Sequence, residues 1–428
     1  VVSAAADSDH WTHPPFSAHL DNNTKYIYGR GTLDTKLTVI GILEAIEHLL
    51  QQQQQQHEDK PIIDRTLIFA LGHDEEVGGE YGAKAMAAIL RGRGIQVEAV
   101  FDEGGAIFTD GLYPLVLHDT PIAVVGTAEK GFSTWKMVLH GTGGHSSWPV
   151  VGTGKNVASQ VAKVLAALEK RQQLTRLAPP TSDFLQGLAP HVLWSSVVRL
   201  LLENASNRII NPILSQLLGW PAISPPDIQA LVRTTCAVVS VSSGSETSHN
   251  IIPSTASITI NCRLLPGDTS TDVKRYLEDL IKVDLHLPEK PELIQLGESV
   301  PGSAVASSHG SHFDLIRRAI QESGLTGGTS ARDARGESTI NNNNNNNNNT
   351  KRVEIVVPLL LTGMTDSRYY ADLAEGRVYR FSPLGLNRTG GDMKRIHGID
   401  ERVSVENVIE GVRFFMRLIT LGTVGIDA

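Results

Sequence analysis

Two acidic clusters in this chain each stand directly behind a short apolar run, and a helical segment separates the two. Thr66–Leu71 (TLIFAL) leads into His73-Asp74-Glu75-Glu76, and Val97–Phe101 leads into Asp102-Glu103. Between them Tyr81–Arg93 is patterned as a helix. Upstream, Leu37, Ile40, Leu43, Ile46 and Leu50 recur at helical spacing after Asp34. Strands that alternate with helices predict an α/β fold, a mostly parallel sheet flanked by helices on both faces. Ligands of such sheets bind beyond the carboxyl ends of the strands, so both clusters are expected at one edge.

From about Ile122 the pattern changes. Phe132–His140 reads as a strand, Asn156–Leu168 as a helix, Ala237–Val241 and Ala256–Arg263 as strands, and Asp272–Ile281 as a helix. That order is close to an α+β ferredoxin-like unit. A Leu-rich, Pro-punctuated stretch near 174–232 interrupts it and reads as a helical insertion. After about Pro301 the alternation returns, with a strand over Val353–Leu361 and a helix over Val403–Leu421. The expected organisation is a discontinuous catalytic domain of residues 1–121 and 300–428 around an inserted lid or dimerisation domain of residues 122–299. A length of 428 residues suits two or three domains. The low-complexity tracts Gln51–Gln56 and Asn341–Asn349 cannot bury apolar area and read as solvated insertions.

Composition narrows the chemistry. Asp+Glu at 46 against Lys+Arg at 38 gives a net charge of -8, which argues against nucleic acid or a membrane surface as partner. No apolar run approaches the ~18 residues of a membrane span. Two cysteines, Cys236 and Cys262, exclude a disulfide scaffold and a Cys-type zinc ribbon, and their redox state is open. A metal here must use His and carboxylates. The first residue is Val1, so processing or truncation is expected to have removed the start. Sequons at Asn22, Asn204, Asn348 and Asn387 lean towards a secretory or vacuolar route.

Taken singly, each polar cluster has an ordinary explanation: Asp34 as a helix N-cap, Asp74-Glu75-Glu76 as a solvated loop, His397 as a surface histidine. Together they gather negative charge at one sheet edge. Like charges at close range raise each other's pKa unless a cation neutralises them. A divalent metal does so, and mixed carboxylate and imidazole ligands suit zinc. Of two adjacent glutamates behind a strand, one can bind metal while the other activates water.

Ten stretches, in order, resemble the dinuclear-zinc exopeptidase family that includes carboxypeptidase S, aminoacylase and the bacterial glutamate carboxypeptidase, most nearly its carboxypeptidase S branch. They are His10–Phe16, Tyr28–Lys36, Gly72–Gly79, Phe101–Ile107, Gly126–Gly131, Gly141–Pro149, Asn250–Pro253, Asn261–Gly267, Thr365–Tyr370 and Ile396–Arg402. The resemblance implies two zinc ions per full-length subunit. Asp34 would bridge them, Glu76 and His397 would complete one site, and Asp102 would serve the other. Glu75 would be the general base. His145 would stabilise the oxyanion, often in a partner subunit's site, which implies a homodimer through the inserted domain. Asn250, Arg263 and Arg368 would hold the substrate, the arginines gripping a terminal carboxylate.

The family's His-x-Asp pair, with a histidine ligand, would lie just before Val1 and is absent here, as is the strand leading to it. One site therefore lacks its His ligand, and the activity of this chain on its own is in question. Leu37 and Met364 stand where the branch often has glycine. The implied reaction is hydrolysis of a C-terminal peptide bond, in a vacuole or outside the cell. The alternatives are hydrolysis of an N-acyl amino acid and a catalytically silent binding or dimerisation module.

Overall fold

The computed structural model describes residues 10–56, 62–112, 116, 120–244, 249–328 and 351–423. The Asn341–Asn349 tract lies outside them. A six-stranded sheet forms the centre, from Val100–Asp102, Ala106–Phe108, Ile122–Glu129, Ile355–Leu361, Val378–Arg380 and Gly385–Leu386. Three of its five pairings are parallel and two antiparallel, so the sheet is mixed. All eight residues of Ile122–Glu129 are buried. Side chains alternate across a strand, and here the alternation sorts two cores. Ala123 and Val125 pack with Phe313, Ile316, Phe414 and Leu418. Ile122 and Val124 pack on the opposite face with Phe184, Leu188, Leu202 and Leu214.

The first core is capped by the helices Lys36–Gln56, Ser311–Glu322 and Val405–Thr423. The helix after Asp34 runs through the glutamine tract, as its periodicity predicts. The second core is capped by helices of the insertion, Thr181–Leu188, Ser196–Glu203 and Ile210–Gly219, while the short helix Pro226–Ala230 packs through Ile228 beside Ala128 and Leu360. The insertion thus covers the central sheet, although by sequence it falls inside the inserted domain. The strand Ile122–Glu129, expected to open that domain, pairs along its whole length with Ile355–Leu361. The chain passes from the central sheet to the four-stranded one at Lys130.

The inserted unit has four antiparallel strands in the order Glu292–Val300, Gly131–His140, Thr255–Leu264, Thr235–Ser243. Helices Val157–Lys170 and Ser270–Leu280 supply the apolar side of its core, through Val157, Val164, Val273 and Leu277 among others. This is the ferredoxin-like order that the sequence predicts. Asn156 caps the first helix by accepting from the Ala158 N–H, and Thr269 with Asp272 forms a capping box on the second. Cys236 and Cys262 stand directly opposite on adjacent strands and are joined by a disulfide.

One expectation fails. Thr66–Leu71 is not a strand. Leu67, Ile68, Phe69 and Leu71 are 39–50% exposed, and this segment finds no ladder partner among the described residues. An apolar run becomes a strand only where a neighbour satisfies its backbone groups. No helix among the described residues is long and apolar enough to cross a membrane.

Candidate metal centre

A small three-stranded sheet brings the site together. Tyr26–Tyr28 pairs with His19–Asp21 on one side and with Arg402–Ser404 on the other. That pairing sets the loop after Tyr28 against the loop before Arg402. The carboxylate of Glu401, fully buried, fills the space between them. Its Oε2 accepts from Arg30 Nη1 (2.8 Å) and the Gly31 N–H (3.0 Å). Its Oε1 accepts from the N–H groups of Leu33 (2.7 Å) and Asp34 (3.1 Å). Arg30 also donates through Nη2 to the His397 carbonyl, 3.3 Å away, and lies over the Trp11 ring. His397 itself has φ +60°, a left-handed conformation that non-glycine residues adopt mainly where surrounding structure imposes it.

The acidic run at residues 74–76 divides its labour. Asp74 is buried, and its two oxygens accept from the N–H groups of Tyr81 (2.7 Å) and Gly82 (2.9 Å), just ahead of the helix Ala83–Gly92. Glu75 and Glu76 sit on a single 3-10 turn, Glu75–Val77, closed by Gly78 at φ +111°. Gly79 follows at φ +68°, and a Cβ there would stand 2.2 Å from an oxygen of Asp366. Only glycine allows the turn to pack this closely on the 366–369 loop.

These elements deliver Asp34, Glu76 and His397 to one point. One ligand atom from each lies within 4.8 Å of the others. His397 Nε2 is 2.5 Å from Asp34 Oδ2 and 3.3 Å from Glu76 Oε1. Asp34 and Glu76 are largely buried, and His397 is half exposed. Two carboxylates and one imidazole converging with a side open to solvent form a donor set for a divalent metal that leaves coordination positions free.

Glu75 stands beside this cluster. Burial pushes its carboxyl up to about 7, helped by the charges of Glu76, Asp366 and Asp34 and opposed by the Arg368 guanidinium. Arg368 is held in place by two carbonyls, Thr365 (2.9 Å) and Gly78 (2.7 Å), and its guanidinium stacks on the Tyr369 ring.

Asp102 does not join the cluster. Both its oxygens accept backbone bonds, from the N–H groups of Ser367 (2.9 Å) and Glu103 (2.9 Å). Its neighbour Glu103 is the acid that shares the field of Asp34, Glu75 and Glu76. Burial first, then those charges and that of Asp102, raises Glu103 to about 9. At a strand end adjacent side chains point apart, so of two consecutive acids only one faces a given pocket.

His145, Asn250 and Arg263 belong to the inserted unit. Gly144–His145 pairs with Ile251–Ile252, and the Ser146 N–H donates to the Asn250 carbonyl, so His145 and Asn250 share one exposed two-stranded ladder. Arg263 projects from Thr255–Leu264 beside the Phe132 ring. Among the described residues, no hydrogen bond or ion pair joins these three to Asp34, Glu75 or His397.

Comparison with known proteins gives the family. Residues 127–286 match the M20 peptidase dimerisation domain. A probable carboxypeptidase S-like protein of Dictyostelium discoideum is 31% identical over 96% of this chain and 68% of its own. An N-fatty-acyl-amino acid synthase/hydrolase of Xenopus tropicalis is also 31% identical, over 98% of this chain and 70% of its own. The crystal structure of an M20 family metallo-carboxypeptidase from Sulfolobus solfataricus superposes with a TM-score of 0.58 at 15% identity, covering 98% of this chain and 82% of that one. The chain belongs to the M20 peptidase family.

Two site residues were not visible as such in the sequence. The sequence points to Asp102 rather than to Glu103 beside it. Glu401 lies in the Ile396–Arg402 stretch that carries the resemblance, but no role is drawn for it there. Its sequence signal is its place in that stretch, four residues after His397.

Two outcomes follow from the site. Glu401→Gln leaves size unchanged but weakens the grip on the Asp34 loop, and should lower affinity for a divalent metal by about 10–100-fold, as loss of a supporting group does. Titration of chelated protein with zinc checks this. Glu103 has a folded-state pKa above the ordinary carboxyl value, so folding takes up a proton between those two values. Its contribution therefore destabilises metal-free protein as pH rises through the range from about 4.5 to about 9. Thermal melts of chelated protein should show a smaller loss between pH 5.5 and 8 for Glu103→Gln than for the parent chain.

Proposed function

We propose that this chain is a zinc-dependent carboxypeptidase acting on the C-terminal bond of short peptides. The reading rests on the convergence of Asp34, Glu76 and His397 beside a Glu75 whose carboxyl is raised to about 7. Asp34, Glu76 and His397 would hold one ion. Asp34 with Glu103 would contribute to a second, in place of the Asp34 and Asp102 pair expected from sequence. Zinc bound there supplies Lewis acidity and lowers the pKa of the water it holds.

The chain's own groups then act in turn. Glu75 takes a proton from the attacking water as its oxygen bonds to the scissile carbonyl carbon, and returns that proton to the leaving amine as the C–N bond breaks. Arg368, fixed beside Glu75 by Thr365 and Gly78, grips the substrate's terminal carboxylate. Arg263 and Asn250 would add to this grip from the inserted unit. His145, exposed on its two-stranded ladder, would donate to the developing oxyanion, in the site of a second copy paired through the dimerisation domain. The disulfide supports an oxidising route, vacuolar or secreted.

Hydrolysis of N-acyl amino acids is the second reading. The similarity to the N-fatty-acyl-amino acid synthase/hydrolase, equal in identity to that with the carboxypeptidase S-like protein, favours it. It uses the same cluster and the same carboxylate grip and differs in the acyl pocket. A catalytically silent module would have no need for this convergence.

The test compares an N-blocked Gly-Leu dipeptide with a long-chain N-acyl-leucine, using zinc-loaded protein and its Glu75→Gln variant. Turnover of the dipeptide, reduced by about 10²–10⁴-fold in the variant at unchanged zinc content, is the expected result. Preference for the acyl-leucine selects the second reading. Near-normal turnover in the variant removes Glu75 as the base.

A further inference from the structure

The strand Ile122–Glu129 ends where the chain leaves the central sheet, in the consecutive charged residues Glu129 and Lys130. Both are fully or almost fully buried. Consecutive residues of a strand face opposite sides, and these two engage different parts of the molecule.

Glu129 faces the 365–369 loop. Its Oε1 accepts from the Thr365 N–H (2.7 Å) and its Oε2 from Arg380 Nη2 (2.8 Å), in an ion pair that is 1–2% exposed. Arg380 Nε donates to Ser367 Oγ (2.9 Å), and Ser367 Oγ is 2.6 Å from Thr365 Oγ1. One carboxylate and one guanidinium thus hold the loop from below at Thr365 and Ser367, on either side of Asp366. Arg368 is the next residue, and its reach to Gly78 and Glu75 depends on where that loop lies. Lys130 faces the other way. Its Nζ donates to the carbonyls of Ala230 (3.0 Å) and Arg233 (2.8 Å) and to Thr235 Oγ1 (3.2 Å), the segment by which the insertion returns to the inserted unit. At Gly131 the chain passes the outgoing 300–302 segment so closely that a Cβ would stand 2.2 Å from the Val300 carbonyl oxygen.

We infer that Glu129 is a positioning residue: through Arg380 and Ser367 it fixes the 365–369 loop and so presents Arg368 to the substrate. A buried ion pair broken on one side leaves an uncompensated charge, so the loop answers to Glu129 more than to any exposed contact. Lys130 anchors the insertion from the same strand end and serves as the internal control.

The experiment is hydrogen–deuterium exchange on the full chain, read on the peptide covering 365–370, with steady-state kinetics alongside. Glu129→Gln and the milder Ser367→Ala should each raise exchange in that peptide by about tenfold or more, with unchanged exchange at 133–140. Lys130→Met should raise exchange at 229–236 instead. The kinetic arm rests on Arg368 gripping the substrate carboxylate: KM should rise by about tenfold with kcat within about twofold. Should Glu129→Gln fail to fold, Ser367→Ala carries the test. Unchanged exchange at 365–370 in a folded variant overturns the proposal. Raised exchange with an unmoved KM upholds the positioning role and rejects Arg368 as the substrate's partner.

Discussion

The metal centre depends on a carboxylate that does not belong to it. Glu401 accepts four bonds, three from backbone N–H groups of the loop ending at Asp34 and one from Arg30, while Arg30 reaches the His397 carbonyl. Two loops some 370 residues apart in sequence are thereby held in one arrangement. Asp34 and His397 carry opposite preferences for burial: the carboxylate is largely covered and the imidazole half open. Without a rigid frame behind them, nothing local would bring those side chains within 2.5 Å. A buried ion pair is poor evidence of stability, because desolvation opposes it. Here its value is geometric: the charge of Glu401 is distributed over four donors, and each donor fixes one point of the loop.

The same principle explains why the acids near the site are so unequal. Asp74, Asp102 and Glu401 are satisfied by backbone N–H groups and act as structure. Glu75 and Glu103 lack such partners among the described residues and carry their burial as raised pKa values. The chemistry is thus left to the acids that the backbone does not use.

Much of this was legible in the sequence. The helix after Asp34 and the ferredoxin-like order follow from periodicity, and the helical character of 174–232 from its Leu-rich composition, although Ile40, Leu43 and Leu50 of the first helix are about half exposed while Ala45 and Leu49 fill the core. Gly131–His140, for example, alternates buried and half-buried residues almost without fault. The convergence of Asp34, Glu76 and His397 was readable only through several motifs taken in order, since no local signal links His397 to residues so far away. Three features were not legible. TLIFAL has the composition of a strand, but pairing belongs to the neighbour and not to the run itself. Asp102 and Glu103 are equivalent in composition and are separated only by the direction each faces at the strand end. The place of the insertion was hidden because its apolar helices could cover either of two sheets, and only the residues of Ile122–Glu129 on the far face decide between them.

That placement sets how often the chain crosses between its two larger sheets. Because the insertion is seated on the central sheet while its ends continue into the four-stranded one, the chain passes between the two bodies around residues 130–131, 171–180, 231–235 and 300–302. A leaf hung on two cords swings freely. One hung on four, with the buried Lys130 ammonium knotting two of them together, is restrained at more points.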